Sequence, residues 1–226
     1  TGLCLPVKDI VKHCRKLGIY SCIDGAQALG MIPVDLKKIN PDFYAGCGHK
    51  WLMGPKGTGI LYINKDVIHK CTPTFVGAYS DSKFDLQNLV LEYRQSADRH
   101  FFGTRNIPTL SGLATAIDFV SEIGTQKISS RGRALAKYFI NAIQDMEGVE
   151  ILSPENGKYA TSILTIRLKH INNYDVRVNV AKEFNFHFRY IYENNLDAIR
   201  LSFAIYNTEE EINHLVAILK RIADKK

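Results

Sequence analysis

The sequence predicts an α/β fold with a mostly parallel sheet, followed by a small α+β domain. Two observations support this prediction. Over residues 6–64 a helical pattern precedes short apolar runs that glycine and proline separate, which is typical of helices and strands alternating around an open sheet. From about residue 148 onward the order changes to strand-like runs with interspersed helical patterns. We therefore place the two domains at residues 1–124 and 125–226.

The first domain is predicted to contain two helices and a set of short strands. Apolar residues at helical spacing predict a helix over residues 6–17, with Pro6 in its first turn and Gly18 after its end. Short apolar runs predict strands over residues 19–24, 41–47 and 58–64. Residues 65–100 are polar and are predicted to be irregular. A helix over residues 107–124 is expected to pack on the sheet.

The second domain is predicted to begin with a long linking helix over residues 129–146. Apolar runs then predict strands over residues 149–154, 161–168, 186–192 and 198–206. Helical patterns cover residues 175–184 and 208–223. Thr208 is followed three positions later by Glu211, which is the spacing of a capping box, so the last helix is expected to begin there.

Composition and charge narrow the classes of function. Of the 226 residues 46% are hydrophobic, and every apolar run is far shorter than the roughly 20 residues of a membrane helix, so a soluble protein without a membrane partner is predicted. The net charge of +6 comes from lysines and arginines scattered among acids, which indicates a mildly basic surface and no nucleic-acid partner. Five cysteines without a C-x-x-C pair predict free thiols in a reducing, cytoplasmic compartment and no metal site.

Asp24 ends one predicted strand and Lys50 follows another, and functional groups in open α/β sheets collect at and beyond the carboxyl ends of strands. A lysine at the end of a buried strand is expected to be desolvated, which lowers its pKa and lets the neutral amine form a Schiff base with an aldehyde. Pyridoxal phosphate is the common biological aldehyde used in this way, and a carboxylate on its pyridine nitrogen keeps that nitrogen protonated. Taken singly, Asp24 would more often lie in a turn and Lys50 on the surface; together they favour a cofactor site.

Gln27 and His49 extend this cluster. Gln27, three residues after Asp24, is placed to donate its amide to the phenolic oxygen of the cofactor, although a position on a helix surface is an equal alternative. His49 directly precedes Lys50 and is placed to reach the phosphate, where a structural histidine is the alternative. The sequence thus predicts a ring partner, an oxygen donor and a Schiff-base amine in one region.

The stretches DGAQALG (24–30) and GCGHKWLMGPKGTGILY (46–62) resemble the class V aminotransferase family, which includes cysteine desulfurases and isopenicillin N epimerase-like proteins. The resemblance covers essentially the whole chain. It implies a pyridoxal-phosphate enzyme of fold type I in which Lys50 is catalytic. The residues that it implies for cofactor binding are Asp24, Gln27, His49 and Lys50. Because family members are longer at the amino end, it also implies that the chain is a fragment, that a partner supplies the missing part, or that the cofactor site is incomplete.

Two further segments extend the resemblance. FFGTRN (101–106) resembles the family's turn whose threonine contacts the cofactor phosphate of the neighbouring subunit. This implies that Thr104 binds the cofactor and that the protein is a homodimer; alternatively, Thr104 caps the helix that begins near Ile107. AIRLSFAIYNTEEEI (198–212) resembles the family's final strand and helix, whose arginine binds the carboxylate of an amino-acid substrate, here Arg200.

Arg189 is a second candidate for substrate binding. Alternation along its predicted strand leaves it equally able to point at solvent. Arg200 has an alternative of its own, an ion pair with a surface acid, although its otherwise apolar strand favours an inward-facing partner.

Two departures from the family pattern bear on the reaction. Cys47 stands where the family often has a serine that donates to the phosphate, and a thiol is a weaker donor. The family's desulfurases carry a catalytic cysteine between two arginines, and the segment between Arg189 and Arg200 has none. The resemblance therefore implies an enzyme that forms a Cα carbanion and is epimerase-like or C–S lyase-like. The alternatives are a cysteine desulfurase or aminotransferase of the same family, and a catalytically silent fragment that serves as a protein-binding scaffold.

Overall fold

The structure is a computed structural model that describes residues 1–223. The chain divides into two compact units, each described by itself. One unit spans Pro6–Glu122, and the other comprises Thr1–Leu5 together with the chain from Ile123 onward. The predicted domains at 1–124 and 125–226 stay a prediction.

The first unit contains the sheet that carries the candidate site. Its elements are α1 (Val7–Lys16), β1 (Cys22–Asp24), α2 (Leu36–Ile39), β2 (Phe43–Cys47), β3 (Gly59–Ile63), β4 (Asp81–Asp85), β5 (Val90–Tyr93) and α3, which runs from Ile107 to Ile123 at the division. The strand order is β1-β2-β3, with β1 and β2 parallel and β2 and β3 antiparallel. The prediction of an α/β fold is confirmed, and in the described residues this sheet is mixed.

The amino ends of β1 and β2 are joined by a side-chain network between Ser21 and Asp42. The backbone N–H and the hydroxyl of Ser21 donate to Oδ2 of Asp42 at 2.8 and 2.7 Å, and the Ser21 hydroxyl accepts from the Asp42 N–H at 3.0 Å. Reciprocal hydrogen bonds of this kind fix which residues face each other. The register they accompany sets Asp24 opposite Ala45 at the far end of the pair.

The expectation that residues 65–100 are irregular is wrong. β4 and β5 form an antiparallel hairpin within them, with a register shift between Asp81 and Lys83. The Asp85 side chain closes the turn by accepting from the backbone N–H groups of Gln87 and Asn88 at 3.0 and 3.1 Å. None of the residues in these two strands is fully buried, so the hairpin lacks the alternation of buried apolar and exposed polar residues that reveals a half-buried strand.

The second unit is an antiparallel sheet covered by helices. Its elements are α4 (Thr125–Ile143), β6 (Val149–Ile151), β7 (Ile163–Leu168), α5 (Asn173–Phe184), β8 (Arg189–Ile191), β9 (Ala198–Ser202) and α6 (Glu209–Ala223). The strand order is β6-β7-β9-β8. Helices and strands meet in one core, whose most buried members include Phe139, Ile140, Ile166, Ile199 and Leu219. α4 begins at Thr125, four residues before the predicted start at residue 129, because Gly124 at φ 90° ends the preceding helix there.

The predicted capping box at the start of α6 is confirmed. The Glu211 N–H donates to Oγ1 of Thr208 at 3.1 Å, and the Thr208 N–H donates to Oε2 of Glu211 at 3.1 Å. Each side chain thus satisfies a backbone donor that has no partner within the helix. Of the helices that the structure describes, none combines the length and apolar character needed to cross a bilayer.

Candidate functional site

Asp24 and Lys50 follow neighbouring strands at the same edge of the sheet. Asp24 is the last residue of β1, and Lys50 comes three residues after Cys47, the last residue of β2. Because β1 and β2 are parallel, their carboxyl ends point the same way. We call residues 25–30 the first loop and residues 48–54 the second loop. The predicted ring partner thus lies at the end of β1, and the predicted amine lies on the second loop.

The two loops meet at Gly30. Its φ is +86°, and a Cβ added there would lie 2.5 Å from the backbone C and O of Trp51 and 2.7 Å from the N of Leu52. The backbones of the two loops therefore pack directly on each other, and Gly30 has a backbone conformation that residues with a side chain rarely adopt. Beside this contact, Nε1 of Trp51 donates to Oε1 of Gln27 at 2.9 Å. Sequence analysis missed both Gly30 and Trp51.

The second loop is closed on itself. The Gly54 N–H donates to the Gly48 carbonyl at 2.8 Å, and the Gly48 N–H donates to the Thr58 carbonyl at 2.9 Å. The Met53 N–H donates to the Lys50 carbonyl at 2.9 Å. These bonds tie the backbone on both sides of Lys50 to the start of β3, so the lysine stands on a defined turn.

Asp24 has one carboxylate oxygen engaged and one available. Oδ1 accepts from the Ala26 N–H at 2.9 Å, which ties the carboxylate to the first loop. Within residues 1–223, Oδ2 has no hydrogen-bond donor, and the side chain is exposed. An oriented carboxylate with a free oxygen suits an N–H donor such as a pyridinium.

Tyr44 forms a buried support beneath the first loop. Its side chain is 3% exposed, and a Cβ added to Gly25 would lie 2.1 Å from both Cζ and Oη of Tyr44. Burial, and then the negative charge of Asp24, raise the pKa of Tyr44 to about 12, so the ring is neutral at physiological pH. Sequence analysis missed this residue, although a tyrosine in the predicted strand before Lys50 indicates a side chain that can lie beside the site.

His49 and Lys50 are exposed in the described chain. Nδ1 of His49 lies 3.2 Å from the Thr58 carbonyl oxygen, which can only accept, so Nδ1 carries the hydrogen and Nε2 is the nitrogen left for another partner. The expectation that the strand end buries Lys50 is wrong for this chain, because Lys50 lies beyond β2 on an exposed turn. Cys47, the last residue of β2, is partly buried and its thiol is free.

Thr104 lies in the exposed segment before α3. The alternative role of Thr104 as the cap of this helix is wrong, because Oδ1 of Asn106 accepts from the Thr109 N–H at 3.2 Å instead. In the part of the chain that is described, the Thr104 side chain forms no hydrogen bond. The Arg105 guanidinium stacks 3.4 Å from the centroid of the Phe101 ring, which orders this segment.

In the second unit, Arg189 and Arg200 lie opposite each other on β8 and β9. Arg189 is exposed and pairs with Glu193. Arg200 is half-buried, and its pKa is lowered by burial first and then by the charge of Arg189. Its buried Nε lacks a hydrogen-bond partner among the described residues, and so does Oγ1 of Thr165, which faces it on β7. A half-buried guanidinium with spare donors is suited to a carboxylate or another planar anion.

Within residues 1–223, no group of three or more His, Cys, Asp or Glu side chains has an arrangement that could hold a metal ion. The end of β1 and the two loops instead carry a carboxylate, an amide, an imidazole and an amine. These groups fit an aromatic, phosphorylated aldehyde better than they fit a metal, because only the amine can bond covalently to a carbonyl carbon.

Comparison with known proteins identifies relatives over nearly the whole chain. The model of the family described as "Aminotransferase class-V" matches residues 1–215. The isopenicillin N epimerase of Streptomyces clavuligerus is 30% identical over 235 residues, which cover 97% of this chain and 56% of that protein. The chain spans about half the length of the curated relatives it matches.

Solved structures agree with this result. The apo cysteine desulfurase of Thermococcus onnurineus NA1 has a TM-score of 0.90 and 25% identity, over 100% of this chain and 57% of that one. A mutant of C-DES with glycine covalently linked to its PLP cofactor has a TM-score of 0.86 and 25% identity, over 97% of this chain and 57% of that one. Another structure names C-DES a cystine C–S lyase, in complex with its product cysteine persulfide. These neighbours have the fold that the sequence predicted.

Proposed function

Because the chain belongs to the class V aminotransferase family, we propose that it forms part of a pyridoxal-phosphate-dependent enzyme that acts on an amino acid. The observation that carries the proposal is that Asp24 ends β1 and Lys50 follows the parallel strand β2, while the Trp51–Gln27 hydrogen bond joins the loops beyond these strands. The C-DES structure with glycine linked to its PLP cofactor supports it, since that protein is similar over 97% of the chain.

The residues on the two loops fit this cofactor. When bound, pyridoxal phosphate supplies an electron-withdrawing ring that stabilises negative charge on the Cα of an amino acid. The free Oδ2 of Asp24 would hold the proton on the ring nitrogen, and the amide of Gln27 would donate to the phenolic oxygen. His49 would contribute Nε2 to binding the phosphate, since Nδ1 is engaged with the Thr58 carbonyl, and the Lys50 amine would attach to the aldehyde carbon with loss of water. Once the amino group of the substrate has displaced it from that carbon, the free Lys50 amine would move the proton to or from Cα as general base and acid.

Arg200 binds the carboxylate of the amino acid in this proposal. Its partial burial and its unpartnered Nε favour a bidentate contact with a planar anion. Arg189, on the neighbouring strand, contributes a second positive charge that is partly offset by Glu193. The substrate class is therefore an α-amino acid with a free carboxylate.

An epimerase-like or C–S lyase-like reaction is favoured over desulfuration. The segment between Arg189 and Arg200 contains a short turn at Glu193–Asn195 and no cysteine, so no thiolate of that segment can accept sulfur. Relatives named isopenicillin N epimerase and cystine C–S lyase support the two preferred reactions. The alternative is a desulfurase or an aminotransferase of the same family. The similarity to the Thermococcus desulfurase supports the first of these two.

We also propose that the protein acts as a homodimer in which Thr104 reaches the phosphate of the neighbouring subunit. Thr104 is exposed and is not used as a helix cap, which leaves its hydroxyl available to a second chain. A catalytically silent scaffold is the remaining alternative, because the chain spans only about half the length of its relatives.

Cofactor attachment tests the proposal directly. The purified protein, supplied with pyridoxal phosphate, is expected to show a visible absorption band, and borohydride is expected to fix the label on Lys50, as found by peptide mass spectrometry. Lys50→Ala abolishes the covalent label, whereas Lys56→Ala, at an exposed lysine just beyond the second loop, keeps it. A protein that takes up no cofactor under these conditions would favour the scaffold.

The products distinguish the reactions. With L-amino acids in D2O, an epimerase exchanges the Cα hydrogen and forms the D-isomer. With cystine, a C–S lyase adds one water and yields cysteine persulfide, pyruvate and ammonia. A desulfurase instead leaves alanine and transfers sulfur to an acceptor. Formation of alanine from cysteine would overturn the preference stated here.

A further inference from the structure

The hydrogen bond between Trp51 and Gln27 joins the two loops beside the candidate cofactor site. Nε1 of Trp51 donates to Oε1 of Gln27 at 2.9 Å, although 24 residues separate the two in sequence. Both side chains are partly buried. Trp51 is adjacent to Lys50, so the bond lies next to the proposed reactive amine.

This bond fixes the orientation of the Gln27 amide. An indole N–H can only donate, so the atom that faces it must be the amide oxygen. The amide NH2 group therefore points away from the indole, and in the described chain it has no acceptor. Were the amide rotated by half a turn, two donors would face each other and the bond would be lost.

Close contacts restrain the main chain of Trp51, which carries the indole. Gly30 packs so closely on Trp51 that a Cβ added to the glycine would lie 2.5 Å from the backbone C and O of Trp51. The main chain of Trp51 therefore has little room to move. The loop bonds around Gly48 and Gly54 restrain the same turn. Backbone contacts therefore restrain the main chain that carries the donor.

We propose that Trp51 is a positioning residue that sets the Gln27 amide so that its NH2 group faces the phenolic oxygen of the cofactor. This inference rests on the proposed function, because it requires pyridoxal phosphate at Lys50. In the absence of the indole donor, the amide samples both orientations and presents its oxygen to the phenolic oxygen part of the time. The residue thus acts on the electronic state of the cofactor through Gln27 and without touching the reacting atoms.

The pH titration of the cofactor's visible band measures this effect. A donor facing the phenolic oxygen disperses the negative charge of that oxygen. The Lys50 nitrogen that is bonded to the cofactor is then less stabilised in its protonated form, so it loses its proton at lower pH. Trp51→Phe keeps an aromatic ring but removes the N–H, and the midpoint is expected to rise by about 0.3 to 1 pH unit. Gln27→Leu removes the amide itself and is expected to raise the midpoint further.

A double-mutant comparison separates positioning from packing. In the Gln27→Leu background, Trp51→Phe is expected to leave the midpoint unchanged, because no amide remains to be oriented. Thermal unfolding of the same variants reports any general loss of packing. Should Trp51→Phe fail to fold, benzothienylalanine at position 51 keeps the bicyclic shape without the N–H and is measured in its place.

The outcomes are distinct. A midpoint shift that appears only when Gln27 is present supports the inference. An unchanged midpoint in Trp51→Phe, or equal shifts in both backgrounds, overturns it while the visible band leaves the proposed function intact. A wild-type protein with no visible band overturns the proposed function and this inference together.

Discussion

Arg189 and Arg200 are direct cross-strand partners on β8 and β9, so two positive side chains occupy the same face of the sheet. Glu193 pairs with Arg189 but leaves the buried Nε of Arg200 without a partner in the described residues. Like charges in this position destabilise a sheet unless an anion offsets them. The carboxylate of an amino acid is the anion that the proposed function supplies.

We expect Arg200→Gln to raise KM for the amino acid by roughly 10- to 100-fold, because a hydrogen bond to a charged group contributes about 1.5 to 3 kcal/mol. Arg189→Gln is the matched control, and its effect is expected to be below about 10-fold since Arg189 is exposed and already paired with Glu193. Steady-state kinetics at saturating cofactor provide the measurement. Equal effects of the two substitutions would contradict the assignment of Arg200 as the main carboxylate ligand.

Removing the charge of Asp24 is expected to slow the chemistry more than it weakens cofactor binding. Asp24→Asn keeps the size of the side chain and an oxygen for the Ala26 N–H, but it does not hold a proton on the ring nitrogen. We expect kcat to fall by about 10²- to 10³-fold, the range seen when one electrostatic contact to developing charge is lost. Asp24→Glu, which keeps the charge, should recover part of the rate. An Asp24→Asn variant with normal kcat and a full visible band would rule out this role.

The positions of Asp24 and Lys50 could be predicted because the signal for a strand end is local. Each residue comes at or soon after the end of a short apolar run, and parallel strands bring their carboxyl ends to one edge. The β4–β5 hairpin could not be predicted in the same way, because none of its strand residues is fully buried and an alternating pattern of burial is missing.

The contacts that complete the site depend on long-range geometry. Nothing near Gln27 in sequence indicates that an indole 24 residues away fixes its amide; the close approach at Gly30 brings the two together. The helix cap at Asn106 was missed for a different reason, since Thr104 and Asn106 are both good capping residues and only the start of α3 decides between them.

The close approach at Gly30 is expected to make this glycine irreplaceable. Gly30→Ala places a Cβ 2.5 Å from the backbone of Trp51 at φ +86°, so the loops must separate. Gly57→Ala is the matched control, because Gly57 has φ +83° and nothing within 4 Å of its virtual Cβ. The control should cost only the backbone strain of about 1 to 2 kcal/mol. We expect Gly30→Ala to lose more than this in urea unfolding and to lose cofactor as well. Equal losses of stability in Gly30→Ala and Gly57→Ala would show that the two loops can separate at little cost, which would contradict this prediction.

The raised pKa of Tyr44 predicts that the folded protein loses stability at alkaline pH. Its pKa in the folded chain is about 12, above the ordinary 10.0, because burial and the charge of Asp24 disfavour the phenolate. The neutral ring therefore contributes stability that is fully present below pH 10 and is lost as the pH rises toward 12. Tyr44→Phe removes this titration, so its unfolding midpoint should fall less steeply than that of the wild type above pH 10. If the unfolding midpoints of the two proteins fall in parallel above pH 10, folding does not raise the pKa of Tyr44 and the prediction is wrong.

Trp51 is the only tryptophan in the 226 residues, so its fluorescence should report on the site without interference from other indoles. It is adjacent to Lys50, and consecutive Cα atoms are only about 3.8 Å apart. A cofactor held by Lys50 absorbs where indole emits, so the emission should be strongly quenched as pyridoxal phosphate binds. The measurement is a fluorescence titration recorded together with visible absorption. In Lys50→Ala the quenching should persist but reverse on dialysis, since the covalent bond is missing while Asp24 and His49 still bind. Full visible absorption with unchanged emission would place the cofactor away from Lys50 and would contradict the proposed site.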